Sequence, residues 1–242
     1  RDVLGSRGLG DVYKRQGLRN INLQFERGEI VAIVGDSGSG KSTLLNVITG
    51  VDTYEEGEMY FNGNETSYFN QNDMDMYRKK HVGFIFQNYN IIESYTVLQN
   101  VMIPMLINGI TKKEAKERAT EILKKVGLGD RLKHRGTKLS GGEKQRCVIA
   151  RALASDCEIL ACDEPTGNLD SETGAEIIRL IQEVAKDKLV LIVTHNYDQV
   201  KDIITRSIKI SDGEVLENRM LSAPNPVTED NSGASNKDAF RF

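Results

Sequence analysis

The sequence predicts an α/β domain built on a mainly parallel sheet, and three observations predict it. Short, nearly all-apolar runs recur as "EIVAIVG" (29–35), "EILACDE" (158–164) and "LVLIVTH" (189–195), the pattern of strands covered on both faces. Between the last two, Ile177, Leu180, Ile181 and Val184 stand at helical spacing. Strand and helix therefore alternate, the order that builds parallel sheets. With 242 residues, 39% hydrophobic and 28% charged, the chain has an ordinary globular composition and enough length for one large domain or two small ones.

Taken in order, residues 1–16, "RDVLGSRGLGDVYKRQ", show no periodicity and resemble translated adapter read-through. They are expected to be non-native or disordered, and the domain proper to span 17–220. "INLQF" (21–25) alternates as a strand does, and "RGE" (27–29) is its turn. "HVGFIFQ" (81–87) is a further strand. Residues 96–108 and 112–126 then read as two helices with no strand between them, part of a helical insertion over about 88–150. The second has a Thr111–Glu114 capping box, apolar Ala115, Ala119, Ile122, Leu123 and Val126, a solvated charged face, and Gly127 as its stop.

"LSGGEKQR" (139–146) opens another helix, with Ser140 and Glu143 as a capping box and one apolar side along the run Cys147, Val148, Ala150, Arg151 and Leu153. A cap does not need Gly141 and Gly142, so their expected use is close approach to the backbone. Near the end, "IKISDGEVLE" (208–217) is a hairpin on Asp212-Gly213, which adds an antiparallel part. Residues 221–242 have the makeup of a flexible tail or linker. No internal repeat is evident.

A net charge of −3 argues against a general nucleic-acid binder. The longest apolar runs, such as "LVLIV" (189–193), are too short to cross a bilayer, and no signal-peptide pattern opens the chain. Cys147, Cys157 and Cys162 lack metal-ligand spacing and read as reduced, mostly buried thiols.

The chemistry begins at "GDSGSGKS" (35–42), which fits G-x-x-x-x-G-K-[ST] between an apolar strand and a helix. Gly35, Gly38 and Gly40 let backbone amides converge on phosphate oxygens, and the helix amino end adds its dipole. The loop Gly35, Asp36, Ser37, Gly38, Ser39, Gly40, Lys41, Ser42 and Thr43 is the expected nucleotide-binding segment. Lys41 is assigned to the β- and γ-phosphates and Ser42 to Mg²⁺. An acidic pair closing a strand is usually a cap or a solvated end. Following a phosphate loop, Asp163 is read as holding Mg²⁺ through water and Glu164 as polarising the attacking water. His195 closes the next strand on the same edge, where such sheets bind ligands, and is read as a γ-phosphate contact.

Together these residues resemble the nucleotide-binding subunits of ABC transporters over about 17–220. The motifs are the loop 35–43, Gln87 after "GFIF", "LSGGE" (139–143), "ILACDE" (159–164), "GNLD" (167–170) and His195. "STLLNVITGVD", "GFIFQNYNII", "CDEPTGNLDSETG" and "VTHNYD" are similar to the macrolide-export and lipoprotein-release subgroup. The resemblance implies the P-loop NTPase ABC cassette fold, ATP and Mg²⁺ as ligands, and a head-to-tail pair of cassettes, a homodimer for this chain. Ser140, Gly141 and Gly142 would meet the nucleotide of the second subunit, Asp170 would lie at that interface, and Gln87 would sense Mg²⁺ and water. The groove near 88–105 would receive a membrane permease, separate or fused, from the cytoplasmic face. Gln99 stands where relatives often carry glutamate. Tyr13, five residues before Leu18, sits too close to serve as the family's adenine platform, and is expected not to.

The leading expectation is therefore an ATPase driving a permease, for export or for lipoprotein or peptide handling. A mechanotransmitter acting on an envelope protein without transport is the alternative. A soluble ABC ATPase fits less well: the interval from Lys41 to Leu139 has no room for long coiled coils, and there is one cassette.

Overall fold

The computed structural model describes residues 17–221 and the backbone of 239–241. The expectations for 1–16, Tyr13 included, and for 222–238 lie outside the described residues. The elements are β1 (Gln24–Glu26), β2 (Ile30–Val34), α1 (Lys41–Ile48), β3 (Tyr60–Phe61), β4 (Asn64–Glu65), α2 (Gln71–His81), β5 (Val82–Phe86), α3 (Val97–Ile107), α4 (Lys112–Lys125), α5 (Gly141–Leu153), β6 (Ile159–Asp163), α6 (Ser171–Val184), β7 (Leu189–Val193), α7 (Tyr197–Val200), β8 (Arg206–Ser211), β9 (Glu214–Met220) and β10 (Ala239–Arg241).

Six strands form the main sheet in the order β5-β6-β7-β2-β8-β9, parallel except for β9. A second, antiparallel sheet runs β1-β10-β3-β4, so the backbone at 239–241 lies between β1 and β3. The apolar runs are buried on both faces because successive side chains point opposite ways. Ala32, Leu160, Cys162, Val190 and Ile192 join the core under α3, α4, α5 and α6. Val31, Ile33, Ile159, Ala161, Leu191 and Val193 join the second core, with α1 and the antiparallel sheet. All three cysteines are buried free thiols.

The β8–β9 hairpin turns on Asp212 and Gly213, at φ 49° and 80°. Two left-handed residues suit the right-handed twist of the strands they join. Gly213 N donates to Ser39 O at 2.9 Å, which seats this turn against the loop after β2.

Two elements differ from expectation. α2 carries no apolar periodicity, since "QNDMDMYRKKH" buries only Tyr77, and it is fixed instead by an Asn70–Asp73 capping box. α5 is buried on more than one side: Gln145, Cys147, Val148, Ile149, Ala150 and Ala152 are all buried, because the helix lies between the main sheet and the helices beside it.

Candidate active site

The strand register brings the sequence-predicted residues to one edge. Ile33 pairs with Val193, Val193 with Asp163, and Asp163 with Phe86, so the residues after β2, β7, β6 and β5 emerge side by side. These are Gly35, His195, Glu164 and Gln87. A parallel sheet binds ligands at this carboxyl end.

The segment 35–43 loops from β2 into α1. A Cβ on Gly35, at φ 152°, would lie 2.1 Å from the Ile210 carbonyl oxygen, so no other residue fits there. Gly40 caps α1 in the left-handed conformation, and no side chain bonds the first-turn amides. A helix amino end left open in this way suits an anion. Lys41 is buried, and its Nζ donates to the carbonyls of Gly35 (2.9 Å) and Asp36 (2.6 Å), which holds the ammonium inside the loop. Ser39 is buried with its hydroxyl unpartnered.

Ser42 Oγ donates to Asp163 Oδ1 at 3.2 Å. Burial pushes the Asp163 carboxyl up and Glu164 adds to this, while the Ser42 hydrogen bond and Lys41 oppose it. Glu164 has φ 46°, a left-handed conformation that costs a non-glycine residue about 1–3 kcal/mol and persists only where its surroundings impose it. Its Oε1 accepts from the His195 backbone amide at 3.0 Å and lies 2.9 Å from His195 Nδ1. His195 is otherwise open to solvent.

The family model described as "ABC transporter" matches residues 18–167. This chain belongs to that family. It is 42% identical over 210 residues, 87% of its length and 93% of the relative's, to an uncharacterized ABC transporter ATP-binding protein of Methanocaldococcus jannaschii. It is 43% identical over 200 residues to the macrolide export ATP-binding/permease protein MacB of Bartonella quintana, covering 82% of this chain but 30% of MacB. A dimeric bacterial ABC transporter cassette is similar in structure, with a TM-score of 0.77 and 38% identity, covering 85% of this chain and 91% of that one. A post-hydrolysis dimer of the same cassette bound to ADP and Pi matches equally well. The chain is thus an ABC transporter ATPase subunit that binds and hydrolyses ATP.

In this ABC cassette, Gln87 lies against Gly167: a Cβ there would be 2.7 Å from Gln87 Nε2. Asn168 Nδ2 donates to Gln87 O at 2.8 Å, tying the segment after Glu164 to the residue after β5. Asp170 caps α6 by accepting from Thr173 N at 2.9 Å, and that hydrogen bond holds its carboxyl below the usual range.

Ser140 caps α5 with both bonds of the capping box, Glu143 N to Ser140 Oγ (3.3 Å) and Ser140 N to Glu143 Oε2 (2.9 Å). Within the cassette, other segments pack closely against the two glycines. A Cβ on Gly141 would meet Tyr89 Oη at 3.1 Å and Leu169 at 3.2 Å, and one on Gly142 would meet Thr173 Cγ2 at 2.6 Å. No phosphate-loop atom is among these nearest neighbours.

The supporting roles of three residues escaped sequence reasoning. Gln145 is fully buried and donates to Pro165 O at 2.7 Å. Arg151 donates to the carbonyls of Tyr89 (3.0 Å) and Asn90 (2.6 Å), both left-handed residues after Gln87. Thr166 Oγ1 bonds Gln199 at 2.6 Å. A signal existed for Gln145: with Val148, Ile149 and Ala152 it forms an i, i+3, i+4, i+7 set, which puts a polar residue in core register.

Proposed function

We propose that this subunit hydrolyses Mg·ATP at the edge formed by Lys41, Ser42, Asp163, Glu164 and His195. The observation that supports this most is the juxtaposition of Ser42–Asp163 and Glu164–His195 beside the loop that holds Lys41. Lys41 binds the β/γ-phosphate charge, and the open amides of α1 receive the remaining oxygens. Ser42 Oγ and Asp163 Oδ1 are hard oxygen donors fit for Mg²⁺, which neutralises phosphate charge when bound. Among the described residues no group of three His, Cys, Asp or Glu is placed to hold a metal ion, so Ser42 and Asp163 are the residues that would hold Mg²⁺ here. Glu164 acts as general base on the attacking water, His195 orients Glu164 and contacts the γ-phosphate, and Gln87 borders the same space.

The functional unit is a head-to-tail homodimer, in keeping with the dimeric cassettes similar to it. Ser140, Gly141 and Gly142 of one copy would close on the nucleotide of the other, with Asp170 at the seam. The exposure of Ser140 at the helix start supports this, as does the absence of phosphate-loop atoms among the nearest neighbours of Gly141 and Gly142. The dimer drives a membrane permease from the cytoplasmic face. The likeness to the macrolide export ATP-binding/permease protein MacB supports export, with the permease in the same or another chain; the handling of lipoproteins or peptides rests on the motif resemblance alone. Among the described residues no helix is long and apolar enough to cross a membrane. No nucleic-acid partner is assigned.

The test is Glu164→Gln with ATP and Mg²⁺. Binding persists, hydrolysis falls, and sizing shows two cassettes held by unhydrolysed ATP. A monomer that still turns ATP over at the wild-type rate rejects both the base and the sandwich.

A further inference from the structure

We propose that Gln145 is a positioning residue for Glu164, acting through the carbonyl of Pro165. This rests on Glu164 being the general base.

Two facts make Glu164 a residue in need of support. Its φ of 46° is left-handed, and it precedes a proline, which drives its predecessor toward extended backbone. Such a conformation persists only where the surroundings over-determine it. On the strand side this is done by Glu164 N on Val193 O (2.9 Å) and by the His195 contacts. Beyond Glu164 the chain turns back at once, with Gly167 N on Glu164 O at 3.1 Å. Within that turn Pro165 is buried, and as a proline it has no N–H with which to anchor itself. Its remaining polar backbone atom is the carbonyl, and Gln145 Nε2 donates to it at 2.7 Å.

Packing does not account for Gln145. The side chain is fully buried, yet its Oε1 has no partner, a cost that an apolar residue of the same size would avoid. The amide is therefore held there by what its other end does. It sits on α5, near Ser140 and Gly141 at the helix start, and the carbonyl it grips adjoins Glu164. One rigid helix thus presents its tip to a second copy and braces the catalytic carboxylate of its own.

The experiment compares Gln145→Met, which keeps the volume and loses the donor, with wild type, Glu164→Gln and the double variant. ATP affinity is read by equilibrium dialysis, hydrolysis by single turnover of labelled ATP with Mg²⁺, and folding by Tm. Gln145→Met should bind ATP within a few-fold of wild type and lose about 10–10² in hydrolysis rate, the range for a misplaced catalytic group. In the Glu164→Gln background the same change should have no further effect, because the carboxylate it positions is gone. A purely structural role would lower the residual rate of Glu164→Gln by the same factor, and that outcome overturns the proposal. So does a wild-type rate in Gln145→Met. If Glu164→Gln itself keeps the wild-type rate, the general-base reading falls instead. Should Gln145→Met fail to fold, Gln145→Asn keeps an amide but withdraws it by one carbon, beyond reach of Pro165. The same selective rate loss then supports the proposal, and an unchanged rate rejects it.

Discussion

His195 bonds a single oxygen of Glu164 with two nitrogens, its backbone amide at 3.0 Å and Nδ1 at 2.9 Å. An ionised carboxylate only accepts, so Nδ1 carries the proton and Nε2 is left for any other partner. The backbone half of this clamp survives any substitution of the side chain. His195→Ala should therefore loosen Glu164 without releasing it, lowering kcat by about 10–10² while ATP binds within a few-fold of wild type. Glu164→Gln should fall further, by about 10²–10⁴. Steady-state hydrolysis with measured ATP affinity tests the order; a larger loss from His195→Ala than from Glu164→Gln reverses it.

Lys41→Ala removes the ammonium that bonds Gly35 O and Asp36 O, and with it the cation for the phosphates. A charged hydrogen-bonding group of this kind contributes about 1.5–3 kcal/mol, so Kd for ATP should rise by roughly tenfold to over a hundredfold. Isothermal titration checks it, and an unchanged Kd moves the nucleotide elsewhere.

Asp163 gives a pH signature. Burial raises its folded pKa above the unfolded value of about 3.8, so the folded state takes up the proton first as pH falls. Ionised Asp163 is thus a cost to stability at neutral pH, relieved as the pH drops through the folded pKa. Asp163→Asn removes that cost at the expense of Mg²⁺ binding. Without nucleotide, its Tm at pH 7 should equal or exceed wild type, and the difference should shrink toward pH 4. Hydrolysis should be abolished at both. A lower Tm for Asp163→Asn at pH 7 would show that the charge is stabilising.

Gly142 yields a test by compensation. Its missing Cβ makes room for Thr173 Cγ2, 2.6 Å from where that atom would stand. Gly142→Ala gains helix propensity of about 1 kcal/mol but forces an overlap costing typically 1–3 kcal/mol. The net change should be destabilising. In a Thr173→Ser background the methyl is gone, and the same alanine should be neutral or stabilising in denaturant melts. Equal effects in both backgrounds would mean that the contact carries nothing.

Much of this architecture was legible in the sequence because its signals are local and redundant. The apolar runs of β2, β6 and β7, the Asp212-Gly213 turn and the Ser140–Glu143 box each contain their own cause. The loop at 35–43 and the acid pair at 163–164 were legible for the same reason, as motifs at strand ends. What escaped was set by tertiary contact. α2 buries one side chain and so has no stripe to read, and β3 and β4 are two residues long. Gln145 and Asn168 make their hydrogen bonds to segments remote in sequence, Pro165 and Gln87, which only the folded chain brings near. The close packing of Gly141 and Gly142 within the cassette escaped for the same reason: their neighbours Tyr89, Leu169 and Thr173 lie on other segments.

The seat of the β8–β9 turn against the phosphate loop bears on how the protein is made. The loop is synthesised well before Gly213, whose amide donates to Ser39 O, and before Ile210, whose carbonyl lies close against Gly35. A nascent chain halted before the hairpin has the phosphate-binding motif but lacks its backing. The backing of the phosphate loop is thus complete only once the β8–β9 turn has been synthesised and has docked.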